Sequence, residues 1–304
     1  MKCKVCKGPA VIRLRSHNLA LCESCFLDFF YRQVSRTIKR YRLFDKGDKI
    51  LVGVSGGKDS LALLDALITM GYNAVGVFID LEMGYHSVES KEKVEKIAKE
   101  RDYPVIIRSI SDYLGVSLPV AAQEVKRPVC SLCGMIKRYI LNRIAMDEGF
   151  SVLATGHNLD DECARLLGNI LDWRVDFLAR QDPLLDEEEG LVRKVKPLAR
   201  TSERELTAYC IIRGIDYVQG RCPYANKPTS YFYKGIMFQI ERKMPGTKLR
   251  FYQGFVEFKR EYLTACSNTE KQELTRCERC GYPTLSNVCN FCRVKERIEQ
   301  RRDE

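Results

Sequence analysis

Lys49-Ile50-Leu51-Val52-Gly53-Val54-Ser55-Gly56-Gly57-Lys58-Asp59-Ser60 (KILVGVSGGKDS) decides how this 304-residue chain is read. Lys49–Val54 is an apolar run of strand length, and Asp59–Met70 reads as the helix that follows it. The glycines between them let the backbone turn tightly and approach an anion. The helix beyond offers its free N–H groups and positive dipole end, and Lys58 adds a point charge. The pattern is not a Walker loop, because Lys58 is followed by Asp59 and the glycine spacing differs. A lone glycine-rich turn fits many chains; the string SGGKDS at a strand–helix junction is far more specific.

Outward from this junction the alternation continues. Ala74–Asp80 reads as a second strand, Val88–Arg101 as a charged amphipathic helix and Pro104–Ile110 as a third strand. Gly134–Glu148 reads as a helix, Ser151–Thr155 as a fourth strand and Asp160–Leu171 as a helix. Ser202–Arg213 opens on a capping box at Ser202 and Glu205, and Ile215–Val218 reads as a short strand. Such alternation predicts an α/β fold with a doubly wound parallel sheet. Ligands of these sheets bind at the carboxyl ends of the strands, where SGGKDS, Ile79–Asp80 and Thr155-Gly156-His157-Asn158 fall. The acidic stretch Asp186–Glu189 reads as a solvated loop.

Of fourteen cysteines, ten form five C-x-x-C pairs. The chain opens MKCKVC without an apolar leader, so a reducing cytoplasm and bound metal are expected in place of disulfides. Cys3/Cys6 with Cys22/Cys25, and Cys277/Cys280 with Cys289/Cys292, have the spacing of tetrahedral four-thiolate zinc sites. A closed site of this kind has no open position, so folding and docking are the expected roles. The predicted domains are a zinc finger over 1–28, a catalytic domain with linking helices over 29–270, and a zinc ribbon with tail over 271–304. No apolar run is long enough to span a bilayer. The net charge of +10 suits a polyanion such as nucleic acid, although a merely soluble basic protein has the same sum.

SGGKDS resembles the PP-loop of the N-type ATP pyrophosphatases. That resemblance implies that Gly53, Val54, Ser55, Gly56, Gly57, Lys58, Asp59 and Ser60 hold ATP, which activates a carbonyl oxygen as its adenylate. Backbone near Ile79 is then placed to read adenine, and Gly156 to let the chain pass close to the nucleotide. Lys137 is placed to neutralise the α-phosphate, with a solvated lysine as the plainer reading. Gly156-His157-Asn158-Leu159-Asp160-Asp161-Glu162 puts three carboxylates at a helix start. Acidic stabilisation of a helix N-terminus explains one or two of them. The segment closely resembles that of PP-loop tRNA thiolation enzymes, which implies a catalytic role for Asp161 in binding magnesium or orienting the base.

The fifth pair, Cys130/Cys133, has no second pair nearby, and Cys222 lies in a loop beside Arg221, a setting that suits a thiolate. Cys163 and Cys210 read as core residues, and Cys266 is uninformative. Three converging thiols allow a [4Fe–4S] cluster with one iron open, persulfide chemistry with one thiol resolving another, or a third zinc site.

SGGKDS, CSLCG, ATGHNLDDE, RCPY and the two flanking cysteine modules together resemble the TtuA/TtcA-type tRNA 2-thiolation enzymes over nearly the whole chain. The zinc modules look most like the TtuA type, which thiolates 5-methyluridine in the tRNA T-loop. The resemblance implies a [4Fe–4S] cluster on Cys130, Cys133 and Cys222, ATP with magnesium, a ubiquitin-like carrier with a C-terminal thiocarboxylate, and a homodimer. Wobble-uridine thiolases share much of the pattern. A non-catalytic zinc-ribbon RNA adaptor is the alternative from another class, but it has no need of SGGKDS together with GHNLDD. Two basic stretches read as tRNA surfaces: Arg32, Arg36, Lys39, Arg40 and Arg42, and Arg242, Lys243, Lys248, Arg250, Lys259 and Arg260.

Overall fold

The chain begins with a hairpin, β1 (Ile12–Leu14) and β2 (Leu19–Leu21), that leads into the long helix α1 (Glu23–Tyr41). Phe26, Phe30, Val34, Ile38 and Tyr41 recur at helical spacing on α1, and all five are buried. This computed structural model describes residues 1–186, 190–220, 222–225, 229–263 and 274–303. Residues 187–189 of the acidic stretch, Arg221, Cys266 and the 270/271 boundary lie outside them.

Next come β3 (Ile50–Val54), α2 (Lys58–Thr69), β4 (Ala74–Asp80), α3 (Tyr85–Arg101) and β5 (Val105–Ser109). Two short helices, α4 (Ser111–Leu114) and α5 (Leu118–Glu124), precede α6 (Val129–Asp147), β6 (Val152–Thr155) and α7 (Leu159–Leu171). The chain continues through α8 (Val175–Arg180), β7 (Leu184–Leu185), β8 (Arg193–Val195) and α9 (Glu203–Arg213). It then forms α10 (Thr229–Lys243) and α11 (Thr247–Phe258), and ends in a ribbon of β9 (Thr275–Arg276) and β10 (Pro283–Thr284) with α12 (Asn290–Asp303).

The central sheet runs β5-β4-β3-β6-β8-β7, parallel except for the edge strand β7. Its order reverses between β3 and β6, which is where an open α/β sheet leaves a ligand crevice. Successive side chains of a strand point to opposite faces. Ile50, Val52 and Val54 therefore enter one core with α1, α2 and α9, while Leu51, Val77 and Leu153 enter another with α5, α6 and α12. The two terminal modules dock on these opposite faces. Phe30 of α1 stacks on Tyr209 of α9 with ring centroids 4.0 Å apart, and Phe291 of α12 stacks on Tyr139 of α6 at 3.8 Å.

Tyr209 also donates to the fully buried Asp65 of α2, which Arg213, Arg101 and Tyr103 also engage. Burial alone pushes that carboxyl up, but Arg213, Tyr209 and Tyr103 together hold it below its ordinary range. One buried charge thus fastens α2, α3 and α9 together.

Three expectations change. α6 starts at Val129, five residues before the predicted Gly134, because Pro128 starts a helix readily and Cys130 and Cys133 lie one turn apart. Ile215–Val218 is not a strand; it is tied instead by the Val218 N–H to the Gly56 carbonyl (2.9 Å). The short strands β7 and β8 were not anticipated, since so few residues carry no clear alternation.

Candidate active site

The loop between β3 and α2 is built for an approaching anion. Gly56 has φ +76°, and a Cβ there would lie 2.7 Å from the Ser90 carbonyl oxygen, so the position requires glycine. The Ser60 hydroxyl accepts from the Ser55 N–H (3.0 Å) and donates to the Gly57 carbonyl (3.1 Å), closing the turn. No side chain caps α2, so its first N–H groups face the crevice. Gly156, at the end of β6, is needed because a Cβ would lie 2.9 Å from the Ser60 N. Its close approach is to the loop backbone itself. Ile79 is buried at the end of the neighbouring strand β4.

The three carboxylates at the start of α7 point in three directions. Asp160 pairs with Lys248 and accepts from the Glu203 N–H (3.0 Å). Glu162 is fully buried, 3.0 Å from Lys196, with the Tyr252 hydroxyl at 3.4 Å. Only Asp161 turns toward the loop, where it also completes the capping box with Asn158. Lys234 of α10 spans the crevice, 2.6 Å from Asp161 and 2.5 Å from Glu203. Lys58 lies 3.1 Å from Asp59 and 4.0 Å from Glu203. Burial pushes the Asp59 carboxyl up to about 6, with Lys58 opposing and Asp161 and Glu203 adding to the rise. Burial also raises Asp161, but Lys234 outweighs it and holds that carboxyl low. Burial lowers His157, whose Nδ1 lies 2.9 Å from the Thr155 hydroxyl. Two lysines and an uncapped helix end thus face three carboxylates, a set suited to a triphosphate and a divalent cation. Lys234 and Glu203 escaped sequence reading. They lie on α10 and α9, and no local motif links them to GHNLDD.

Cys130 and Cys133 stand in the first turn of α6, and the Cys130 thiol donates to the Tyr224 carbonyl (3.1 Å), two residues past Cys222. Burial pushes the Cys133 thiol up; Lys137 pulls it down, while Cys222 and Cys130 push it further up. Cys130 and Cys222 are thus near enough to act on the charge of Cys133, and Lys137 stands one turn along α6. The three sulfurs are spread wider than the 4.8 Å within which each terminal quartet lies. Cys163 and Cys210 are core residues, as expected, and burial pushes Cys210 up to about 12.

The quartets Cys3, Cys6, Cys22, Cys25 and Cys277, Cys280, Cys289, Cys292 each bring four sulfurs together and fit a tetrahedral zinc ion. The two turns match: Lys7 N–H donates to the Cys3 carbonyl (3.0 Å) and Gly281 N–H to the Cys277 carbonyl (2.8 Å). Lys7 (φ +67°) and Gly281 (φ +67°) both take the left-handed conformation there.

The second basic stretch is only partly a surface. Lys248 is 5% exposed and held by Asp160, and Lys259 is 2.8 Å from Asp182, so neither faces an RNA freely. No helix among the described residues is long and apolar enough to cross a membrane.

Residues 2–27 match the N-terminal LIM domain of the 2-thiouridine synthetase TtuA, and residues 29–232 match the PP-loop domain. The chain is 46% identical to the tRNA-5-methyluridine(54) 2-sulfurtransferase of Thermus thermophilus, covering 99% of this chain and 93% of that protein. The Pyrococcus horikoshii protein of the same name is 40% identical over 96% of this chain and 93% of its own. In fold, the chain is similar to the U34-tRNA thiolase NcsA of Methanococcus maripaludis with its [4Fe-4S] cluster. That similarity has a TM-score of 0.81 and 25% identity, covering 97% of this chain and 96% of the other. A glycine loop facing Asp161 and two flanking cysteine quartets, in a chain matched over nearly its full length, place this chain in the tRNA-5-methyluridine 2-sulfurtransferase family of PP-loop enzymes.

Proposed function

We propose that this protein uses ATP to replace the C2 oxygen of 5-methyluridine 54 in the tRNA T-loop with sulfur, in the cytoplasm and as a homodimer. The observation that supports the reading is that the first turn of α6, with Cys130 and Cys133, meets the loop of Cys222, where the Cys130 thiol donates to the Tyr224 carbonyl and Cys222 and Lys137 act on Cys133.

The residues from Gly53 to Ser60 cradle the triphosphate, with the α2 N-terminus and Lys58 meeting its charge. Ile79 lies where adenine would rest. Asp161, with Asp59 and Glu203 near it, holds magnesium, and Lys137 stabilises charge on the α-phosphate. The uridine O2 attacks that phosphorus and pyrophosphate leaves. Adenylation is needed because a carbonyl oxygen is a poor leaving group. Sulfur then attacks C2, and AMP departs with the former oxygen.

Cys130, Cys133 and Cys222 fit a [4Fe–4S] cluster. Their spacing is wider than that of either zinc-type quartet, which suits a metal group larger than a single zinc ion. When bound, such a cluster supplies one iron without a protein ligand at which sulfur is held. The two quartets hold zinc and fold the terminal modules, which bound a catalytic domain at about 29–270. A ubiquitin-like carrier with a C-terminal thiocarboxylate supplies the sulfur.

The test uses anaerobically purified, cluster-reconstituted protein with ATP, magnesium, sulfide and tRNA, followed by nucleoside mass spectrometry and fragment mapping. A 2-thio-5-methyluridine at position 54 supports the reading, and its loss without iron excludes persulfide chemistry on the bare thiols. The likeness to NcsA favours one second reading, thiolation of the wobble uridine, which the same fragment map would reveal.

A further inference from the structure

The C-terminal end of α1 meets α11 in a group of arginines that the nucleotide chemistry leaves unused. Gln253 and Glu257 lie one helical turn apart on α11, and Arg260 falls on the same face as the helix widens into the turn Lys259–Leu263. Each holds or supplies one guanidinium. With the Gln253 amide oriented by its hydrogen bonds, its oxygen accepts from Arg200 Nε (3.0 Å) and Nη2 (2.7 Å). Glu257 pairs with Arg40 of α1, and Arg260 lies over the Tyr41 ring, 5.1 Å from its centroid. Arg36 stands one turn before Arg40.

Beneath them Tyr41 is 3% exposed, and its hydroxyl has no hydrogen-bond partner among the described residues. A buried hydroxyl left unpaired costs stability unless a ligand or water completes it. The Arg200, Arg40 and Arg260 charges all act on that phenol. The carboxylates that face the group are Glu257, which holds Arg40, and Asp182, which holds Lys259 at 2.8 Å and lies 3.8 Å from Arg260. Five cations against two carboxylates leave a positive excess.

We propose that Arg36, Arg40, Arg200 and Arg260, with the Tyr41 hydroxyl, form a seat for a backbone phosphate of the RNA substrate. Guanidinium groups are suited to this by their planar, bidentate geometry. The Leu159 N–H donates to the Thr201 carbonyl (2.9 Å), so the segment carrying Arg200 is fixed to the start of α7, two residues before Asp161. A strand held at the seat is therefore held in a fixed relation to the nucleotide loop. This inference rests on tRNA being the substrate.

The experiment measures binding of unmodified tRNA to the reconstituted holoenzyme across a sodium chloride series, for the wild type and for Arg200→Gln, Arg260→Gln, their double variant and Tyr41→Phe. Failure of the wild type to bind tRNA would sink the functional reading and not the seat. With wild-type binding present, the double variant should lose roughly tenfold or more in affinity. The slope of log affinity against log salt should also flatten by about 0.7 to 0.9 per lost phosphate contact. Arg200→Lys should keep the slope. Tyr41→Phe should weaken binding with the slope unchanged, whereas a merely structural hydroxyl would leave affinity as it was. Unchanged affinity and slope in the double variant, with its Tm and ATP binding as in the wild type, overturn the seat. If the double variant loses binding of inorganic phosphate, measured by calorimetry, while its tRNA isotherm stays put, the seat takes free phosphate and the RNA assignment is wrong.

Discussion

The terminal cysteine quartets and the central thiol trio start from the same C-x-x-C spacing and arrive at opposite designs. Each quartet gathers its ligands from one small hairpin module, where matched turns at Lys7 and Gly281 aim the sulfurs inward and four ligands close the site. The trio takes two thiols from the first turn of α6 and the third from a loop whose Tyr224 lies 94 residues beyond Cys130. It is spread wider than either quartet. A closed, locally built site holds structure together. A site assembled across the fold with a ligand missing is available for chemistry.

The contrast can be broken most sharply at Cys222. Cys222→Ala should abolish tRNA thiolation while ATP binding and the Tm stay near wild type; detectable thiolation in nucleoside mass spectrometry would remove Cys222 from the set. At the other kind of site the loss should be structural. Cys289→Ala should unfold the ribbon and free the Phe291–Tyr139 stack, lowering the Tm even in protein that still binds ATP. Phe291→Ala alone should cost about 3 kcal/mol through the same contact, read by denaturant unfolding.

Between these extremes lies Lys234, which touches neither kind of cysteine site but holds Asp161 and Glu203 at the crevice. Lys234→Met should slow pyrophosphate release by roughly 10²-fold with little change in Tm, and Lys234→Arg should restore part of the rate. Equal rates in the wild type and Lys234→Met would make that ion pair a bystander.

The smallest effect concerns stability and pH. The folded Asp59 carboxyl is raised to about 6 from an ordinary value of 3.8, so the folded state binds its proton more tightly than the unfolded state. Stability therefore falls as pH rises from about 4 through about 6. Asp59→Asn should stabilise the nucleotide-free protein at pH 7 by about 1–2 kcal/mol, with the gap closing below about pH 4. A gap that persists at pH 3 would assign the gain to something other than this charge.

Much of the site was legible in the sequence because its parts are local. SGGKDS, GHNLDD and the quartets each carry their geometry in a few adjacent residues, and the β3, α2 and β4 boundaries fall within a residue of their expected places. Reading ran short where partners come from afar. Lys248 looked like a surface cation by its basic neighbours, yet it is buried against Asp160 on another helix. The start of α6 was placed late because a cysteine pair looks like a loop until the helix behind it is seen.

The sequence by itself determined the fold class, the nucleotide loop and the metal-ligand types, since strand alternation, glycine turns and thiolate spacing act over a few residues. Only the tertiary structure decided which of three adjacent carboxylates faces the crevice, that Lys234 and Glu203 complete it, and that arginines from three separate segments meet over Tyr41. The physical reason is range. Backbone geometry is set by neighbours in the chain, whereas charge pairing and burial are set by whatever packing brings within a few ångströms.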